Sequence, residues 1–231
     1  NKFISQTGVS SRREADNWIE SGRVTLNGQV ATKGNRVYPG DEVLLDGKPL
    51  RETIQTVYIA LHKPAGITCT TDQRDPDNII DFVKYPKRIF PIGRIDKSST
   101  GLILLTNDGD IVNPILREEN NHEKEYIVTV NRELNSRMLK RMATGVAILG
   151  TRTKPCKVEL LGPYKFRIIL TQGMNRQIRR MCEYLGYKVV TLKRIRVMNI
   201  LLGDLKPGTW RALTESEIMD LKSGLIVTGN S

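Results

Sequence analysis

At 231 residues and 39% hydrophobic content, the chain is long enough to bury one medium core with a small module beside it, so a globular protein is expected. Its net charge of +11 and pI near 9.7 favour a polyanionic partner, because each lysine or arginine that neutralises a phosphate releases condensed counterions. Anionic membrane is the competing polyanion, but no stretch approaches the roughly 18 apolar residues of a spanning helix and the start lacks a charged-then-apolar signal pattern, so the cytoplasm is expected.

The first 48 residues read as a separate module. Ser11-Arg12-Arg13-Glu14 has the form of a capping box, and Ala15, Trp18 and Ile19 then share one helical face before Gly22 stops the helix. Short β-like runs follow, with an Asn27-Gly28 turn inside Arg23–Val30 and a Pro39-Gly40 turn inside Val37–Val43. Two short helices and then a small sheet resemble the S4 RNA-binding domain. The module holds seven Lys/Arg against six Asp/Glu, so RNA binding here rests on placement rather than on total charge. Arg12 and Arg13 open the helix, where they oppose the helix dipole, and Arg23 follows its end. These three are the candidate RNA contacts of the module, and residues 49–56 look like the connection.

From residue 57 to 231 the pattern changes. Strand-like runs at Val57–Leu61, Leu102–Leu105, Glu125–Val130, Phe166–Leu170 and Leu192–Met198 alternate with helical patterns such as Arg137–Met142. The expected fold class is α+β, a mixed and largely antiparallel sheet flanked by helices. Cys69, Cys156 and Cys182 are odd in number and far apart, which fits reduced thiols, and with His62 and His122 they form no zinc-ligand spacing.

Within this region Gly93–Thr106 is a polar, charge-dense turn running straight into an apolar strand. It places Asp96 between Arg94 and Lys97, with glycines at both ends of the turn. On its own an Asp in a Gly/Ser-rich turn is a turn former. Three further segments accompany it: Lys63-Pro64-Ala65-Gly66, Lys124-Glu125-Tyr126, and Gln172–Met181. In the last, Ile178, Met181, Cys182 and Leu185 form an apolar helical stripe ended by Gly186, with Arg179 at its edge and Arg176 and Arg180 well away from it.

The four segments in this order resemble the pseudouridine synthases that modify ribosomal RNA (RsuA and RluF types), and the likeness covers essentially all of the chain after residue 57. Asp77–Val83 and Asn121–Tyr126 look most like the F-type enzyme of the large subunit. The resemblance implies isomerisation of uridine to pseudouridine in structured RNA, first a stem-loop of large-subunit (23S) rRNA and second a tRNA stem-loop. No cofactor or metal is implied, since the reaction adds and removes no atom. Asp96 matches the catalytic aspartate, Tyr126 the base platform and proton acceptor, and Arg179 the arginine that pairs with the aspartate. Buried in RNA, the target must be flipped out at a cost of a few kcal/mol. Arg94 and Lys97 are expected to hold phosphates beside it, with Lys63, Arg176 and Arg180 as further RNA contacts.

Nine Lys/Arg lie between Tyr164 and Asn199 against the single acid Glu183, which suggests a backbone track around the fourth segment. The alternative from another class is a non-catalytic S4-type RNA-binding or ribosome-assembly factor, distinguished by activity that survives loss of Asp96. A metal-dependent nuclease is disfavoured, because Asp108 and Asp110 lie beyond the strand. A monomer is the default.

Overall fold

The computed structural model describes residues 1–50 and 55–227, and the chain divides into two units, Asn1–Val57 with Tyr85–Ile89, and the remainder. In the first unit, helices α1 (Lys2–Gln6) and α2 (Arg12–Glu20) precede a four-stranded sheet of order β2-β1-β3-β4, built from β1 (Val24–Leu26), β2 (Gln29–Val30), β3 (Val43–Leu45) and β4 (Lys48–Pro49). The Ser11 side chain accepts the Glu14 N–H at 3.1 Å, so the expected cap forms. Asn27-Gly28 and Asp46-Gly47 both have positive φ, the conformation that a two-residue hairpin turn requires. Ile4, Ala15, Ile19, Val24, Ala31 and Val43 close a small core.

Two features differ from the sequence expectation. The expected Pro39-Gly40 turn forms, the Asp41 N–H donating to the Tyr38 carbonyl at 3.1 Å, but Val37 and Tyr38 ahead of it are irregular rather than β. The sheet also runs to Pro49, and the Leu50 N–H donates to the Val43 carbonyl, so the module extends past residue 48. Part of the expected connection, residues 51–54, lies outside the described residues.

The second unit is built on a nine-stranded sheet. In chain order it contains β5 (Tyr58–Lys63), α3 (Ile79–Val83), β6 (Phe90–Ile92), β7 (Thr100–Thr106), α4 (Val112–Leu116), β8 (Lys124–Val130), α5 (Ser136–Thr144), the short pair β9 (Ala147–Ile148) and β10 (Thr151–Arg152), β11 (Lys157–Gly162), β12 (Lys165–Leu170), α6 (Gln177–Tyr184), β13 (Val189–Val197), β14 (Ile200–Leu201), β15 (Trp210–Ala212) and α7 (Glu215–Val227). The main path is β11-β12-β8-β13-β7-β5-β15, with β6 on β7 and β14 on β13. Among the described strands only β13 and β7 pair in parallel. The α+β class with a largely antiparallel sheet is therefore observed.

Residue pattern explains the layering. β5 is buried at all six positions and β7 at six of seven, so both read as continuous apolar runs covered on both faces. β12 instead alternates, as a strand with one face on a core does, and β8 buries Val128 and Val130 on its core face. One core joins α5 and α6 to β8, β12 and β13 through Met138, Met142, Ile178 and Met181. A second joins α4 and α7 to β5 and β7 through Ile115, Leu221, Leu102 and Leu104. Thr214 and Glu217 form a reciprocal capping box at the start of α7, each backbone N–H donating to the other's side chain at 3.1 Å. No helix among the described residues is long and apolar enough to cross a membrane.

Candidate active site

Asp96 sits in the turn between β6 and β7, at the edge of a cavity of about 770 Å³ that is also lined by Tyr126, Arg176, Arg194, Lys124 and Met174. The turn is pinned from both sides. The Ser99 N–H donates to the Asp96 carbonyl at 2.9 Å, and the Gly66 N–H to the Lys97 carbonyl at 2.7 Å. Gly101, at φ +107, opens β7 where it crosses β13, and a Cβ there would lie 2.1 Å from the Arg194 carbonyl oxygen. Only glycine fits that crossing.

The fourth segment brings the cation. Its loop is locked by two buried glutamines: Gln177 Nε2 donates to Gln172 Oε1 at 3.0 Å, and Gln177 Oε1 accepts from the Met174 N–H at 3.1 Å. Arg176 takes the left-handed conformation (φ 49, ψ 36) at the N-cap position, and α6 then packs Ile178, Met181 and Cys182 into the core. That places Arg179 at the edge of the apolar stripe, as the helical spacing predicts. Its Nε donates to Asp96 Oδ2 at 3.1 Å and its Nη2 to Ser99 Oγ at 3.0 Å. The two side chains retain 12% and 27% exposure, so the pair is mostly, but not wholly, removed from water. Arg176 lies farther, with Nη1 at 3.5 Å from the same carboxylate oxygen and 46% of its side chain exposed. Asp96 is thus held by two guanidiniums from one helix start.

Tyr126 comes from β8, paired with Arg194 on β13 on one side and Ile168 on β12 on the other. It is half-buried against the core and lines the cavity that Asp96 borders. Asp96, Arg179 and Tyr126, thirty or more residues apart from one another in sequence, are therefore drawn to one site.

Several expected RNA contacts are placed otherwise. Lys63 is fully buried, and its Nζ donates to the carbonyls of Pro64 and Ile67 at 2.8 Å and of Lys97 at 3.2 Å. Burial pulls its amine below the ordinary lysine range, and it tethers the 64–67 loop to the Asp96 turn instead of facing solvent. Lys97 lines the cavity, but its ammonium is engaged by Asp77 at 2.7 Å. Arg180 donates to the Asn175 carbonyl and side chain at 3.0 and 3.1 Å, so it braces the loop before α6. In the first unit Arg23 forms a two-nitrogen ion pair with Asp46 and stacks over Trp18 at 5.3 Å. Arg12 and Arg13 are exposed on the first turn of α2, and Arg94 is exposed at the cavity rim.

The nine-cation stretch is likewise not one free track. Arg167 pairs with Glu159 and Glu125, and Arg196 with Glu123 and Glu125, on the sheet face opposite Tyr126. Arg194 is buried at 4% exposure, and nothing in the sequence distinguishes it from the half-buried Lys193 and Arg196 beside it. Its only signal is register, since it stands opposite Tyr126. Among the described residues no group of three or more His, Cys, Asp and Glu has metal-site geometry.

Comparison with known proteins agrees with this arrangement. Residues 57–184 match the family described as RNA pseudouridylate synthase, and residues 1–43 match the S4 domain. The chain is 55% identical over 223 residues to the dual-specificity RNA pseudouridine synthase RluF of Escherichia coli (strain K12), covering 96% of this chain and 77% of that protein. It is 35% identical to the ribosomal large subunit pseudouridine synthase B of Bacillus subtilis (strain 168), over 96% and 94% of the two chains. A crystal structure of a pseudouridylate synthase superposes with a TM-score of 0.70 at 31% identity, covering 95% of this chain and 97% of that one.

Proposed function

Because the chain belongs to the RNA pseudouridine synthase family with an N-terminal S4 domain, we propose that it isomerises uridine in a stem-loop of large-subunit (23S) rRNA, using Asp96 as the nucleophilic carboxylate. The observation that carries this reading is the Asp96–Arg179 pair at 3.1 Å on the rim of a cavity floored by Tyr126. A guanidinium beside the carboxylate keeps it charged and aimed while the flipped nucleotide excludes water. The volume of about 770 Å³ is in the range that admits a nucleoside. Tyr126 offers its ring to the uracil face and its hydroxyl to the proton that leaves C5. Lys63 acts through the turn it tethers and is a positioning residue.

Pseudouridine formation breaks the C1′–N1 bond, turns the base, and joins C1′ to C5. Asp96 either attacks C1′ or removes the C2′ proton to begin the same sequence. The exposed Arg12 and Arg13 of the S4 unit and Arg94 at the rim supply phosphate contacts. A second RNA substrate is favoured by the relative at 55% identity, whose name states dual specificity, and a tRNA stem-loop is the candidate.

The test is tritium release from large-subunit rRNA and from tRNA, each labelled at uridine C5. The wild-type protein should release label from the rRNA, and Asp96→Asn should abolish release while RNA affinity stays within about twofold. Release by Asp96→Asn at the wild-type rate would overturn the assignment. Mapping the new pseudouridines then decides between rRNA and tRNA.

A further inference from the structure

The floor of the cavity carries two cations that the reading above does not use. Lys124 and Tyr126 are two residues apart on β8 and so face the same side of the sheet, and Arg194 is the cross-strand partner of Tyr126 on β13. All three line the cavity. Arg194 is 4% exposed, yet among the described residues no carboxylate lies within ion-pair distance of it or of Lys124. Among the described residues the only side-chain hydrogen bond that Arg194 makes is from Nε to the Leu102 carbonyl at 2.7 Å, which leaves both Nη groups without an acceptor there, and the Lys124 ammonium has no hydrogen-bond partner among them. Burial and the neighbouring guanidinium both push the Lys124 amine below its ordinary range.

Two unpaired cations held at the edge of a cavity are costly unless something negative arrives. Acids near these cations in the sequence or on the cavity wall are engaged elsewhere, Asp72 by Arg74 and Asp75 by the Asp77 N–H. Glu123 and Glu125 serve Arg196 on the far face, Glu118 binds Lys154 and Gln172, and Asp96 serves Arg179 and Arg176.

We propose that Lys124 and Arg194 contact the edge of the flipped uracil and stabilise the negative charge it acquires on leaving C1′. This rests on the pseudouridine synthase reading. When the C1′–N1 bond breaks, its electron pair goes to N1 and spreads onto O2 and O4. At the sugar, C1′ gains an electron pair from the Asp96 carboxylate, or from the C2′–H bond as that proton passes to Asp96. In the second half C5 bonds C1′, Asp96 is released or returns its proton, C5 loses its proton, and N1 gains one. No other reactant is required. Cationic donors fixed beside O2 or O4 interact more strongly with the anionic base than with neutral uracil, so they lower the barrier more than they tighten ground-state binding. The cross-strand register places Arg194 beside Tyr126 on the same face of the sheet, next to the ring on which the base would stack.

The experiment compares wild-type protein, Lys124→Met, Lys124→Arg and Arg194→Met on large-subunit rRNA transcribed with uridine or with 5-fluorouridine. It follows loss of the starting nucleoside under single-turnover conditions, alongside RNA affinity and melting temperature. Lys124→Met and Arg194→Met should each slow uridine consumption by about 10²-fold, the loss typical of removing one charge-stabilising donor, with RNA affinity within about twofold. The fluorinated base is a weaker base and a better leaving group, so it should recover roughly tenfold of each loss. Lys124→Arg should retain most of the rate. Lys124, being only half-buried, keeps the test valid if Arg194→Met unfolds. Equal losses on the two RNAs, or weakened affinity with an unchanged rate, would show a phosphate clamp or a structural role and overturn the proposal. A wild-type protein inactive on the uridine transcript would overturn the underlying functional reading instead.

Discussion

Replacing Arg179 by methionine removes the closer of the two cations on Asp96 while keeping an unbranched apolar stem. Two hydrogen bonds go with it, to Asp96 at 3.1 Å and to Ser99 at 3.0 Å. Removing one member of a fully buried pair costs about 3–5 kcal/mol. Here Asp96 keeps 27% exposure and Arg176 stays at 3.5 Å, so water and the second guanidinium recover part of that. We expect a stability loss of about 1–2 kcal/mol, which for a chain of this size lowers the melting temperature by roughly 2–8 °C. The catalytic loss should be larger, because the bond to Ser99 fixes the same guanidinium to the turn and so aims the carboxylate. An aiming error of about 1 Å costs about 10²-fold. Single-turnover tritium release should therefore fall at least 10²-fold in Arg179→Met. Arg176→Met, which removes the longer and 46% exposed partner, should lose less than tenfold. Arg179→Lys should fall between them, since an ammonium cannot span Asp96 and Ser99 as a fork does. If Arg179→Met keeps its rate within threefold, or if Arg176→Met shows the larger defect, the division of roles between the two arginines is wrong.

Gly101→Ala should be the most damaging single-atom addition in the unit, since its Cβ would stand 2.1 Å from the Arg194 carbonyl at a φ of +107. We expect a loss above about 4 kcal/mol, read as insoluble protein or a melting temperature at least 10 °C lower, and a variant melting within 3 °C would contradict the geometry. Lys63→Met leaves three carbonyls without their donor and should cost about 2–3 kcal/mol. RNA affinity measured by filter binding should be unchanged, whereas a tenfold weaker affinity would restore Lys63 as an RNA contact. The Arg211 guanidinium and the cap bond from Thr214 hold the Glu217 carboxyl below the ordinary carboxylate value of 4.5. A depressed folded pKa means stability that is present above about pH 4.5 and lost as pH falls through the folded value. Melting curves from pH 7 to 3 should show a smaller acid loss in Glu217→Gln than in wild type, and parallel curves would remove Glu217 from the acid transition.

How far the sequence reaches differs between the ion pair and the RNA contacts. The Asp96–Arg179 pair was legible because each half carries a local constraint. A glycine-bounded turn fixes the aspartate, and helical periodicity puts the arginine at the edge of a buried stripe, where a partner must come from elsewhere in the fold. The surface lysines and arginines carry no such constraint. Whether a cation is free depends on which carboxylate lies across from it, and Asp46, Asp77, Glu125 and Glu159 are distant in sequence or on another strand from Arg23, Lys97, Arg196 and Arg167. Lys63 differs from its expected role for a related reason. A lysine closing an apolar strand is ordinarily the solvent end of that strand, but β5 lies in the sheet interior with all six residues buried, and three carbonyls wait at its end.

The same crossing that demands Gly101 ties the two halves of the site together. Gly101 lies against the backbone of Arg194, and the Arg194 side chain returns to the carbonyl of Leu102, one residue farther along β7. The strand that begins at the Asp96 turn is thereby registered against the strand that faces Tyr126, through the one parallel pairing among the described strands. An antiparallel pairing could be supplied by a hairpin, but parallel strands must be brought together by intervening chain. Between β7 and β13 that chain contains β8, which contributes Tyr126, and α6, which contributes Arg179. The topology thus makes assembly of the site a condition of forming the sheet: β13 cannot reach β7 without β8 beside it and α6 packed on the core they share. The Asp96 carboxylate acquires a fixed geometry relative to Tyr126 because both are held by one hydrogen-bonded sheet.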